Sequence, residues 1–159
     1  MITCYEIAKY FIWLANETGS FISNLKLQKL VYYSQAWYLA IYGKPLFEED
    51  FEAWIHGPVI KALYDRYRHW QWMPIQEEVS QPSFNEEVRE FLEEVVDEYF
   101  SCDAYELERM THVEEPWIKA REGLSKSEPC NNIITKESMK NYFEARVETE
   151  EKALEKDPS

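Results

Sequence analysis

Three histidines (His56, His69, His112) and three cysteines (Cys4, Cys102, Cys130) are the candidates for catalysis or metal binding in this 159-residue chain. A thiol, an imidazole and a carboxylate, such as Cys102 or Cys130 with His112 and Glu115, would suffice for nucleophilic hydrolysis: the ring removes the thiol proton and the carboxylate orients the ring. The spacing does not organise them so. The cysteines are an odd, widely separated set with no C-x-x-C, which argues against a zinc site and a disulfide framework and suits a reducing compartment. No H-E-x-x-H, EF-hand loop or G-x-S-x-G occurs, and only four glycines are present to build a phosphate loop. No cofactor or metal is therefore expected, and no enzyme. The alternative is a small hydrolase using His56 or His112.

His56 is notable for its place. It precedes Gly57-Pro58, where Pro58 suits the first turn of a helix with Gly57 as its N-cap. An imidazole there could close free N–H groups or meet an incoming carboxylate, or it could be a turn residue packed beside Trp54. His112, next to Glu114-Glu115-Pro116-Trp117, reads as a helix corner anchored by its rings.

The elements that must position these residues are mostly helices. Thr3 with Glu6 forms a capping box, and Ile7, Phe11, Leu14 and Ala15 follow as a buried stripe. Ser23 opens a long second helix. Leu27, Leu30, Val31, Ser34, Trp37, Tyr38 and Ile41 make its apolar face, and Lys26, Lys29, Tyr32 and Gln35 lie off that stripe. Gly43 and Pro45 end it. Residues 51–55 read as a short strand, with 75–79 as its hairpin partner. A third helix is expected from Pro58 to about His69. A fourth, capped by Ser83 and Glu86, buries Val88, Phe91, Leu92, Val95, Val96 and Tyr99 and turns Glu86, Glu87, Glu90, Glu93, Glu94 and Asp97 outward. Asp103 and Glu106 start a short helix, Pro116 another, and Thr135 caps a last one burying Met139, Tyr142, Phe143 and Val147. The fold class is mainly α: one compact domain of six or seven helices with at most a small two-stranded β element, over residues 1–147. Residues 148–159 form an acidic extension, helical or frayed.

The charge is lopsided. The chain carries a net −13, whereas residues 1–47 carry +2, leaving −15 for the remainder. Such a body repels nucleic acid and anionic membranes and favours a basic partner. Two lysines on the second helix, beside Tyr32 and Tyr33, would neutralise phosphates feebly, so direct nucleic-acid binding is not expected. No run reaches the ~18–20 apolar residues of a membrane span, and the polar residues near the N-terminus do not suit a signal peptide. A soluble cytoplasmic protein is expected. Aromatic residues are abundant: 11 Tyr, 8 Phe and 6 Trp. They serve either as large half-buried packing or as protein-contact surface.

The run L-K-L-Q-K-L-V-Y-Y-S-Q-A-W-Y-L-A-I-Y-G-K-P-L-F (residues 25–47), followed by E-A-W-I-H-G-P-V-I (52–60), resembles the Panacea domain, the SocA-like antitoxin family also found in phage-associated GepA-like proteins. Residues 107–117 resemble its second block and 134–143 its closing helix, so the likeness spans about 4–145. It implies an antitoxin that inhibits a cognate protein toxin by direct contact, and the acidic body of this chain suits a basic one. In one lineage, the antitoxin acts as an adaptor that delivers the toxin to the ClpXP protease. Many members carry an added DNA-binding domain; this chain has no room for one, so transcriptional control is not expected. On that resemblance the partner-binding residues are Lys26, Lys29, Tyr32, Tyr33, Trp54, His56, Gly57 and Pro58, each of which could instead maintain the fold. Self-association stays open, as does a phage-encoded regulator acting on a host protein.

Overall fold

Ser23 leaves the helical conformation and its hydroxyl accepts from the Lys26 amide, starting a helix that runs Asn24–Tyr42 until Gly43 turns left-handed at φ 72°. In the computed structural model, which describes residues 1–156, this helix (α2) is the axle of the molecule. Around it pack α1 (Cys4–Thr18), α3 (Lys61–Tyr67), α4 (Glu86–Val95), α5 (Ala104–His112) and α7 (Lys136–Lys156), with α7 covering it most extensively. The short α6 (Glu115–Ala120) joins α5 to the far side. Leu27, Leu30, Val31, Ala36 and Leu39 of α2 meet Ile7, Phe11, Leu63, Leu92, Leu107 and Phe143 in one core. Each such fully buried aliphatic or phenyl side chain contributes ~1.5–3 kcal/mol.

The sheet is small and antiparallel, in the order β2-β1-β3. β1 (Phe51–Trp54) pairs with β2 (Gly57–Val59) across the two-residue turn Ile55-His56, and with β3 (Ile133–Ile134) on its other edge. The mainly α class is thus as expected, with a third strand that periodicity does not reveal because it is two residues long.

Several local expectations are met and others corrected. Thr3 and Glu6 form the predicted capping box, Asp103 caps α5, and Thr135 accepts from the Ser138 amide at the head of α7. The N-cap of α4 is Asn85, not Ser83. Pro58 lies within β2, so the third helix begins at Lys61. Residues 75–79 do not join the sheet. Instead, the Ile75 amide donates to Ile22, Asn16 donates to the Glu77 carbonyl, and Arg66 grips the Glu77 carboxylate with two bonds of 3.1 and 3.2 Å. With these partners already supplied by α1, the link between α1 and α2, and α3, the segment needs no strand neighbour. Beyond Arg146, α7 continues as a helix to Lys156, exposed along 148–152; the rest of the predicted extension lies outside the described residues.

The largest correction concerns α2 itself. Lys26, Lys29, Tyr32 and Gln35 lie off the apolar stripe yet are buried, whereas Ile41, on the stripe, is 47% exposed. A helix enclosed on nearly every side has no solvent face for its polar residues; Lys26, Gln28 and Gln35 bond the backbone of whatever wraps it. Gln35 donates to the Phe47 carbonyl and accepts from the Leu46 amide at 2.6 and 2.7 Å, fixing the turn after Gly43. Gln28 accepts from the Ile60 amide at 3.1 Å. Lys26 donates to the Phe100 carbonyl at 2.7 Å, a free carbonyl at the end of the π-type turn Val96–Phe100 that continues α4. Among the described residues no helix is long and apolar enough to cross a membrane.

Candidate functional site

The turn after β1 is built over Lys29. Gly57 has φ 109°, and a Cβ on it would stand 2.7 Å from Lys29 Cε and 2.9 Å from Thr111 Oγ1. Glycine is therefore required on two counts, conformation and space. The Lys29 ammonium beneath is buried and has no hydrogen-bond partner. Burial draws its pKa down to about 7, opposed by the charge of Glu108. Above, His56 is exposed and its Nδ1 lies 2.5 Å from Glu108 Oε1. Trp54 is half-buried, its indole edge-on to Tyr64 at 5.1 Å and donating to Glu52 at 2.9 Å. The α5–α6 corner closes the floor: the Trp117 indole donates to the Trp54 carbonyl at 2.8 Å, and the His112 ring stacks on Trp117 at 4.1 Å. Burial lowers the His112 pKa, which favours the neutral ring.

One turn along α2 lies a second buried polar group. The Tyr33 hydroxyl donates to Glu114 at 2.8 Å, and Arg146 reaches the same carboxylate at 3.1 Å from α7. Burial outweighs both donors and pushes the Glu114 pKa up to about 7. Tyr33 stacks flat on Tyr99 at 4.2 Å, and the Tyr99 hydroxyl accepts from the Trp37 indole at 2.6 Å. Tyr32, edge-on to Tyr33 and Phe51, has a buried hydroxyl with no partner and a pKa raised by burial.

Of the eight residues expected at a contact surface, the structure gathers Lys29, Trp54, His56, Gly57 and Pro58 around the hairpin. It places Tyr32 and Tyr33 deeper and Lys26 at the end of α4. His56 and Trp54 reach solvent; the other six are buried. The expectation that Lys26, Lys29, Tyr32 and Tyr33 offer exposed contact area is thus corrected: they are the inner frame on which the hairpin and the α5–α6 corner rest. His56 is likewise at a strand turn, not at a helix N-terminus. Thr111, Glu108, Glu114, Arg121 and Arg146 complete the arrangement; the first three lie in the 107–117 block but were not among the expected partner-binding residues. Arg121 in particular is buried and donates to the carbonyls of Ala53, Ser125 and Glu128. A lone arginine in a loop-flanking position carries no periodic signal; Glu108 and Glu114 could have been found as the acidic partners in the 107–117 block.

Chemically, the arrangement holds carboxylates, rings and cations in mutual contact inside the fold. The reactive pairing at the surface is His56 with Glu108, beside an open groove that Trp54, Ile55, Lys61 and Cys130 also line. Among the described residues no group of three or more His, Cys, Asp or Glu could hold a metal ion.

Comparison with known proteins bears on this same region. A 43-residue stretch is 49% identical to the antitoxin SocA of Caulobacter vibrioides (strain NA1000 / CB15N), covering 27% of this chain and 23% of that protein. The chain thus matches under a quarter of that relative's length. No solved structure matches significantly. The family model described as "Antitoxin SocA-like, Panacea domain" matches residues 27–118, from the first turn of α2 through the hairpin to α6, and the chain belongs to that family.

Proposed function

We propose that this chain is the antitoxin of a toxin–antitoxin pair and neutralises its cognate protein toxin by direct binding, without chemistry of its own. The observation that carries this reading is the family match over 27–118, which takes in the whole frame of Lys29, Gly57, Thr111, Glu114 and Trp117. The geometry supports it: the side chains enclosed there are engaged with one another, while the outside presents carboxylates and partly exposed rings, the materials of a stoichiometric contact with a basic protein. His56 and Trp54 form the exposed tip of the hairpin and are the contact residues; Lys26, Lys29, Tyr32, Tyr33, Gly57 and Pro58 hold that tip in place.

Co-expression with the product of the adjacent reading frame, scored by growth and pull-down, tests the proposal. Rescue and co-purification are expected, and His56→Ala with Trp54→Ala should weaken rescue while leaving the melting temperature within a few degrees. Full rescue by that double variant would remove the tip from the contact. Absence of any complex would overturn the antitoxin reading. Lys29→Ala and Tyr32→Ala cannot serve for this purpose, because emptying buried positions destabilises the fold. Delivery of the toxin to ClpXP would add a dependence of rescue on that protease.

One observation favours a second reading, a hydrolase: His56 is oriented by Glu108 and shares its groove with Cys130. Ester turnover by the purified chain, lost in both His56→Gln and Cys130→Ser, would establish it.

A further inference from the structure

A cleft of about 300 Å³ opens between α2, α4 and α7, lined by no residue of the hairpin and sharing only Trp37, Tyr99 and Arg146 with the buried groups around Glu114. Trp37, Phe91, Val95, Tyr99 and Val147 line it, and Ile41 stands at its lip, 47% exposed. Tyr42, the next residue, is also exposed and packs on Tyr38 and Phe91, extending the apolar surface along α2. The wall opposite is wound as a π-type turn over Val96–Phe100, a departure from regular helix that is frequent at functional sites.

The rim is acidic. Glu94 and Glu98 border the cleft from α4 and its π-type turn, and Glu150 borders it from α7. The one cation among its lining residues, Arg146, is turned to Glu114 at 3.1 Å and lies over the Trp37 ring at 5.1 Å, and the three carboxylates outnumber it. An incoming group therefore meets an apolar floor under net negative charge.

On the reading that this chain binds a protein toxin, we infer that this cleft is the docking site for a basic amphipathic segment of that toxin. One or two large apolar side chains fill the cleft, and flanking Lys or Arg residues face Glu94, Glu98 and Glu150. The size sits at the low end of ligand pockets (~300–1,000 Å³), which suits side-chain anchors better than a whole small molecule. A helix laid in such a groove is a common way for proteins to capture one another. A second copy of this chain is disfavoured, since it would bring the same carboxylates, and a net −13, face to face.

The test uses an 18-residue peptide of Leu and Lys in amphipathic register, with a Leu/Glu peptide of the same pattern as control, titrated into the full chain and followed by tryptophan fluorescence and backbone amide shifts. Saturable binding of the Leu/Lys peptide, weakened by salt and mapped to α2, α4 and α7, is expected. Ile41→Asp should weaken it at least tenfold, while Phe21→Asp, at an exposed position before the opposite end of α2, should leave it unchanged. Ile41→Asp replaces an exposed side chain, and its melting curve should match that of the unmodified chain. Equal binding of both peptides, or no effect of Ile41→Asp, overturns the proposal, as does a dimer that Ile41→Asp dissolves. In the toxin growth assay, rescue by the unmodified chain together with undiminished rescue by Ile41→Asp would sink the cleft alone. Failure of the unmodified chain to rescue would sink the antitoxin reading on which it rests.

Discussion

Lys29 and Glu114 are titratable groups that folding moves in opposite directions along the pH scale. Lys29 falls from its ordinary 10.5 to about 7, so between those values the unfolded chain binds the extra proton and stability rises with pH. Glu114 climbs from 4.5 to about 7, so across that window the folded chain binds the extra proton and stability falls as pH rises. Their combined contribution is lowest near neutrality. Urea unfolding from pH 4 to 10 should show the alkaline rise flattened in Lys29→Met and the acidic fall flattened in Glu114→Gln. Lys29→Met should also gain on the order of 1–3 kcal/mol at pH 7, because an unpaired buried ammonium is replaced by an apolar chain of similar length. Gly57→Ala, by contrast, should lose about 3 kcal/mol through its left-handed backbone and the approach to Lys29. Part of that loss should return in the Lys29→Ala background, measured as a double-mutant cycle.

Elements here are tied together by single side chains reaching across them. Arg121, at the end of α6, is the clearest case: its guanidinium lies over the Trp117 ring at 4.7 Å and holds the carbonyl of Ala53 in β1 at 2.8 Å, together with those of Ser125 and Glu128 in the loop leading to β3. Arg121→Met keeps the aliphatic stem and takes the guanidinium donors away from three carbonyls, of which that of Ser125 still accepts from the Glu128 amide. The expected cost is about 3 kcal/mol, with the loop cleaved by trypsin or thermolysin well below the denaturant concentration of global unfolding. Simultaneous loss of all structure, with no early cleavage of the loop, would show that Arg121 does not act locally. The same logic explains α2: helical periodicity describes how one face meets one neighbour, and a helix with neighbours all round needs polar residues wherever those neighbours present unpaired backbone.

At the scale of the molecule, the charge is concentrated where it can steer. Glu86, Glu90 and Glu93 are exposed along α4 and bond to no other side chain among the described residues. Replacing the three by lysine should lower the association rate with a basic toxin by about tenfold at low ionic strength, with the difference closing as salt screens the field. Stopped-flow measurement at two salt concentrations checks it; an unchanged rate at low salt would show that approach is not governed by this face.

Helix-forming periodicity, the caps at Thr3, Ser23 and Asp103 and the left-handed stop at Gly43 were all legible along the chain, because each depends on residues within a few positions of one another; the family likeness was legible because it is a likeness of sequence. What α2 does with Lys26, Lys29 and Gln35 was not. Lys26 and Gln35 find their partners at Phe100, Leu46 and Phe47, and Lys29 is covered by Gly57, all brought in by chain that periodicity cannot place. The same holds for His56, whose carboxylate is Glu108, 52 residues away, and for the pairing of β1 with Ile133–Ile134. Local sequence determined which segments are helical and where they stop; only the tertiary structure decided which polar side chains are enclosed, since enclosure depends on how many neighbours surround a helix and not on the pattern it carries.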